Sequence, residues 1–173
     1  KKHPNVVFYG EGWDMSTEMS KDGYTMATQQ NASKTPTFAY FSDTIRDLLK
    51  GGNNETDLGF VSGLTGKEEP MANCFRSLAG WSSTPTQIVN YASCHDNYTL
   101  KDKLDVTAGN IETNTPEDII KMNNLAAAIY LTAQGIPLIH AGEEILREKK
   151  YKDEDGNIKI DHNSYKSPDS VNS

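Results

Sequence analysis

The sequence predicts an α/β fold on a parallel sheet and, within that class, a (β/α)8 TIM-type barrel. Three observations lead there. Four short apolar runs, at residues 6–9, 38–41, 88–94 and 136–140, lack polar alternation, as strands covered on both faces do. Helical patterns separate the later runs, and strands alternating with helices indicate a parallel sheet. Polar groups follow the run ends, the edge at which parallel sheets bind ligands. No glycine-rich phosphate loop joins a strand to a helix, so a nucleotide-binding doubly wound sheet is the weaker choice.

The elements follow in chain order. "NVVFYGEGW" reads as a fully buried strand stopped by glycine. Residues 14–37 are polar and aperiodic, hence loop. "FAYFSD" is a second strand. The helix after it is capped by Ser42 or Asp43, buries Ile45, Leu48 and Leu49, and ends at Gly51. Residues 52–86 are polar loops with short helical pieces around residues 73–79. "IVNYASC" is the third strand. Thr115, Pro116, Glu117 and Asp118 start the strongest helix. Its apolar surface takes in Ile119, Ile120, Met122, Leu125, Ala126, Ile129 and Leu131, and Gly135 stops it. "IPLIH" is the fourth strand. "KYKDEDGNIKI" alternates acidic and amide groups, but its glycine is misplaced for an EF-hand and no closing glutamate follows. A β-hairpin turning at Asp155-Gly156 fits it better.

A complete barrel needs about 250 residues. Four strands in 173 residues is about half of one, so residues 1–173 read as one partial barrel domain of a larger protein. The missing half, or a second copy of the chain, is the expected partner.

A net charge of −7, with seventeen scattered basic residues, argues against a nucleic-acid partner. No apolar run reaches membrane-spanning length, and no signal-peptide pattern is visible. Cys74 and Cys94 make no metal pattern and read as free thiols. The compartment stays open between cell surface or exterior and cytoplasm.

Glu11 and Asp96 are the candidate chemical pair. Glycosidic hydrolysis needs one carboxyl group to protonate the leaving oxygen and a second to attack or to stabilise positive charge. On pattern alone, Glu11 serves equally as a solvated loop carboxylate, and "HDN", residues 95–97, equally as a turn. Trp13, two residues past Glu11, offers an indole face to a sugar ring or simply packs under its loop.

"FYGEGWDM" and "YASCHDNYTLKDKL" resemble two signature segments of the α-amylase superfamily of glycoside hydrolases, and "GEGW" resembles the type I pullulanases within it. The intervening "YTMATQQNASKTPTFAYFSDTIRDLLKG" and "GFVSGLTGKEE" resemble the same enzymes, as do the later "LTAQGIPLIHAGEEILR" and "DHNSYKSPDSVNS", all in the same order. The resemblance implies that the four strands are barrel strands five to eight. It implies Glu11 as general acid and base, and Asp96 and His95 as groups holding the hydroxyls beside the reacting carbon. It further implies Asn97 lining the site and Trp13 as part of a sugar platform. The substrate class implied is an α-1,6-branched α-glucan. The implied nucleophile, an aspartate after strand four, has no counterpart before Glu11, so the chain alone is expected to be inactive. Lys166 stands where a small polar residue is expected. No metal or cofactor is expected in this chain, and calcium is left open for the whole protein. The rival readings are an isoamylase-type, glycogen-debranching or branching enzyme, and a non-catalytic carbohydrate-binding half-barrel.

Overall fold

The computed structural model describes residue 3, residues 5–15 and residues 21–163. Four strands, β1 (Phe8–Gly10), β2 (Phe38–Phe41), β3 (Ile88–Asn90) and β4 (Ile136–Pro137), form one sheet in the order β1-β2-β3-β4. All three pairings are parallel, with Tyr9 beside Ala39, Phe41 beside Val89 and Asn90 beside Pro137. The order advances without reversal. The carboxyl ends therefore share one edge of the sheet, and Glu11, Asp43 and the segment from Tyr91 onward all emerge there.

Helices α1 (Asp43–Lys50) and α2 (Glu68–Phe75) fall between β2 and β3, and α3 (Leu100–Val106) and α4 (Pro116–Thr132) between β3 and β4. Ser42 caps α1, its Oγ accepting from the Ile45 N–H at 3.5 Å. Ile45 and Leu49, four residues apart, both go into the core. Gly51 ends the helix with φ +90°, and a Cβ there would lie 2.0 Å from the Asp57 carbonyl oxygen. Only glycine meets both demands. Thr115 and Asp118 cap α4 reciprocally, at 3.3 and 3.0 Å. The core is helix-dominated: Ile45, Leu49, Met71, Leu100, Leu104, Ile119, Ala126 and Tyr130 pack together. Burying each leucine or isoleucine contributes roughly 1.5–3 kcal/mol.

Several expectations need correction. The first strand is not buried: Val6, Val7, Phe8 and Tyr9 are each half or more exposed. β1 is one of the two edge strands of the sheet, paired on one side only among the described residues. The third run forms a ladder over Ile88–Asn90 alone, not to residue 94. The Ser42 N–H takes the Val89 carbonyl as β2 turns into α1, and the Leu138 N–H takes that of Asn90. Beyond Asn90, β3 has no ladder partner, and β4 shortens with it. α2 begins five residues earlier than the predicted helical piece. α3 was not expected at all, although Thr99 caps it through the Asp102 N–H at 3.0 Å and Leu100 and Leu104 are fully buried. α4 stops at Thr132, where Ala133 turns extended, and Gly135 (φ +126°) instead shapes the entry to β4. Its apolar surface is wider than its buried face, leaving Ile120, Leu125 and Leu131 open.

The predicted hairpin forms from β5 (Lys150–Lys152) and β6 (Ile158–Ile160), paired antiparallel. The Gly156 N–H closes its turn on the Asp153 carbonyl at 3.0 Å, and the Asp153 carboxylate receives the Asp155 and Asn157 N–H groups. Both cysteines are free thiols. Among the described residues no helix is long and apolar enough to cross a membrane. Lys166 and the segment around it lie outside the described residues.

Candidate active site

A cleft of about 310 Å³ opens at the carboxyl edge of the sheet. Every site residue predicted from the sequence lines it: Glu11, Trp13, His95, Asp96 and Asn97. Glu11, His95 and Asp96 each bring one side-chain nitrogen or oxygen to within 4.8 Å of the other two. His95 Nε2 stands 3.6 Å from Asp96 Oδ2.

"GEGW" now has a local explanation. Glu11 leaves the end of β1, and the backbone must turn at once to bring Trp13 over the cleft. Gly12 makes that turn with φ +74°, and a Cβ on it would sit 2.6 Å from Cδ1 of the Tyr40 ring. The Gly12 carbonyl is held by the Gln29 N–H at 3.0 Å. The Gln29 side chain donates in turn to the Phe41 carbonyl and to Asp43. The turn after β1 is thus tied to the start of α1.

The segment after β3 is built differently. Tyr91, Ala92 and Ser93 are buried, and His95, Asp96 and Asn97 rise to the cleft. Asn97 takes φ +58°, a left-handed conformation that asparagine tolerates better than most residues. "HDN" is therefore both a bend and a site. Behind it lies a group of buried ions. Lys149 Nζ donates to the His95 and Asn97 carbonyls, both at 2.6 Å. Lys50 Nζ donates to the Tyr98 carbonyl at 3.0 Å, and burial brings its pKa down to about 8. Glu143 accepts from Ser93 Oγ and Tyr130 OH, both at 2.6 Å. Burial raises its pKa while those hydrogen bonds oppose the rise. An unpaired buried charge is costly, and partners of this kind make one tolerable.

Sequence reasoning missed several residues of the cleft wall. Phe41, Asp43, Arg46, Asn53, Tyr91 and Cys94 all reach it. Arg46 donates to Tyr91 OH at 3.0 Å and to Asp47 at 2.6 Å, with its guanidinium 5.8 Å from the Tyr91 ring centre. Burial pushes the Tyr91 phenol up to about 12. The rings of Tyr9, Phe41 and Tyr91 follow one another at 5.8 and 5.0 Å. "FSDTIRD", placing Asp43 and Arg46 just past a strand, was the available signal. Nothing in the pattern marked Asn53 or Lys149.

The arrangement can supply a proton donor, a second carboxylate and an imidazole at one open point beside apolar ring faces. Glu11, His95 and Asp96 lie close enough to share a divalent cation, yet all three are open to water, unlike the closed sets of structural metal sites.

No family model matches the chain. It is 32% identical to the pullulanase of Bacillus subtilis (strain 168) over 99% of this chain and 23% of that protein. The pullulanase of Anoxybacillus sp. LM18-11, solved in complex with maltotetraose, superposes with a TM-score of 0.84 at 38% identity, over 98% of this chain and 23% of that one. The pullulanase of Paenibacillus barengoltzii, solved with maltohexaose and α-cyclodextrin, superposes at 0.81 with 38% identity, over 98% and 25%. The chain spans about a quarter of the length of these relatives, and along nearly all of its own length it is similar to pullulanases.

Proposed function

We propose that this chain carries strands five to eight of a (β/α)8 catalytic barrel in a debranching glycoside hydrolase. The whole protein would cleave α-1,6-glucosidic linkages in pullulan, starch limit dextrins or glycogen. The observation that carries this reading is the convergence of Glu11, His95 and Asp96 at the carboxyl edge of a parallel sheet with no strand reversal. Similarity to pullulanases over nearly the whole chain supports it, as do the maltooligosaccharides bound by two of the solved relatives.

The resemblance implies a retaining mechanism with a role for each of these residues. The Glu11 carboxylic acid gives its proton to the branch oxygen as the bond to the anomeric carbon breaks. An aspartate outside residues 1–173 attacks that carbon, giving a covalent glycosyl ester. The Glu11 carboxylate then takes a proton from water, whose oxygen displaces the aspartate and returns the enzyme to its starting state. Asp96 and His95 hold the hydroxyls next to the reacting carbon and favour the distorted ring. Trp13 gives a sugar its apolar face, and Asn97 lines the wall. The scheme draws on no cofactor held by this chain.

Glu11→Gln in the complete protein tests the reading. Turnover on pullulan should fall about 10²- to 10⁴-fold while dextrin binding persists. Near-normal turnover removes Glu11 from the chemistry. Residues 1–173 expressed alone should release no reducing sugar and should self-associate through the open β1 edge and its apolar side chains. Debranching by that piece would place the nucleophile within it, at Asp96 or Asp43.

A further inference from the structure

We propose that Lys149 is a positioning residue: its buried ammonium straps the two carbonyls that flank Asp96 and so sets the directions in which His95 and Asp96 face the cleft. This rests on the reading of the cleft as a glycosidase site.

Lys149 is only 1% exposed. Its Nζ bonds to the His95 and Asn97 carbonyls, the residues immediately before and after Asp96. Two bonds to alternate carbonyls fix the orientation of the intervening peptide planes, including the left-handed Asn97. The backbone of Lys149 is anchored as firmly. Its N–H donates to Asp102 Oδ2 at 2.8 Å, and its carbonyl accepts from the Asp161 N–H at 2.9 Å. Asp102 is fully buried and takes a further bond from Thr99 Oγ1 at 2.9 Å. One residue thus joins the first turn of α3, the neck of the hairpin and the loop that presents His95 and Asp96. A neutral side chain of similar length would lack both donors. A shorter one would not span to two carbonyls.

The hairpin itself becomes intelligible on this account. The hairpin at residues 150–160 lies between Lys149 and Asp161, and the bond between those two closes its neck. The hairpin can leave the strap undisturbed because both Lys149 and Asp161 lie outside it.

The test uses the complete protein with Lys149→Met, and with Lys149→Gln, which keeps a polar head but falls short of both carbonyls. Backbone amide exchange over residues 92–99 and over α4 is measured beside kcat and KM on pullulan. Amide exchange in 92–99 should quicken at least tenfold while α4 keeps its protection. kcat per folded molecule should fall about 10- to 100-fold, the scale on which small misplacements cost rate, with KM within about threefold. Unchanged exchange in 92–99, or unchanged kcat with quickened exchange, overturns the proposal. Should Lys149→Met lose α4 protection as well, Lys149→Gln decides by the same readings. If the unmodified protein fails to act on pullulan, the glycosidase reading fails, and the exchange of 92–99 alone still decides whether Lys149 is the strap.

Discussion

The two sides of the cleft are built on opposite plans. Glu11 stands just past β1, an edge strand of the sheet, among side chains half open to solvent, and its turn is held by a carbonyl bond to Gln29 and by the fit of Gly12 against Tyr40. His95 and Asp96 stand on a loop whose preceding residues are buried and whose carbonyls are bound by two buried ammonium groups. Exchange and opening follow the density of buried contacts and bonds. The β3 loop should therefore be rigid by its own construction, whereas the Glu11 turn depends on whatever packs against β1. A site that must align two such parts within about 0.5 Å draws its precision from the strapped side.

The largest effect that can break this contrast comes from the strapped side. Asp96→Asn removes a charge and nothing of the strap, because Lys149 holds the backbone carbonyls of its neighbours. Its kcat should fall about 10²- to 10³-fold, as when a positioned electrostatic group is lost. The melting temperature should stay close to that of the parent protein. If Asp96→Asn only raised KM, the assigned role would be wrong. If it lowered stability sharply, the loop would owe its form to the carboxylate rather than to Lys149.

Gly12→Ala probes the other side. A Cβ at φ +74° is strained wherever it is placed, and here it meets the Tyr40 ring at 2.6 Å. The cost should be about 1–3 kcal/mol, absorbed locally by moving the Glu11 turn. Turnover should therefore fall more than the melting temperature implies. Gly10→Ala is the control, since no described residue lies within 4 Å of a Cβ there. Equal effects from the two substitutions would deny that Tyr40 positions the turn.

That pair of glycines also shows how much of the molecule was legible in the sequence. The motif said that a carboxylate sits between two glycines past a strand, and it does. It could not say that only the second glycine is demanded, because the reason is a ring on another strand. Parallel order, the two well-capped helices and the hairpin were readable because each is signalled by residues near one another in the chain. The lengths of β3 and β4 were not, since a ladder ends where its neighbour turns away. The buried lysines were invisible for the same reason. Lys149 lies in "REKKYKDEDG", a charged stretch that reads as solvated until Asp102 and the 95–97 loop are brought to it. α3 was a different kind of omission. "TLKDKL" carries both a cap and an i, i+4 leucine pair, and its shortness hid it.

The network beneath the strapped loop yields a smaller effect. Tyr130→Phe removes one of the two side-chain donors to the buried Glu143 carboxylate and keeps the ring's place in the core. A buried acceptor that loses one partner costs about 1–3 kcal/mol. Urea unfolding should show that loss with little change in KM. Intact stability would mean that the Ser93 hydroxyl and the positive charge of Lys50 near Glu143 suffice to hold the carboxylate.

The smallest effect is a pH dependence at the end of β4. His140 is partly buried, and its Nδ1 has no hydrogen-bond partner among the described residues. Burial, with Arg147, Lys149, His95 and Lys50 nearby, brings its pKa down to about 4 from an ordinary 6.5. The folded protein therefore keeps His140 neutral while the unfolded chain begins to bind a proton as pH falls through 6.5. In that window the unfolded state holds more protons, so stability falls as pH drops from about 6.5 to about 4 and is level in this respect below that. Other groups of the protein bind protons in the same range, so total stability is the wrong observable. The informative quantity is the difference between the parent protein and His140→Gln in the slope of unfolding free energy against pH. The variant should lack up to about one proton's worth of slope between pH 4 and 6.5. Parallel slopes would mean that His140 keeps its ordinary affinity in the fold, and that the positive groups gathered behind the strapped loop do not reach the end of β4.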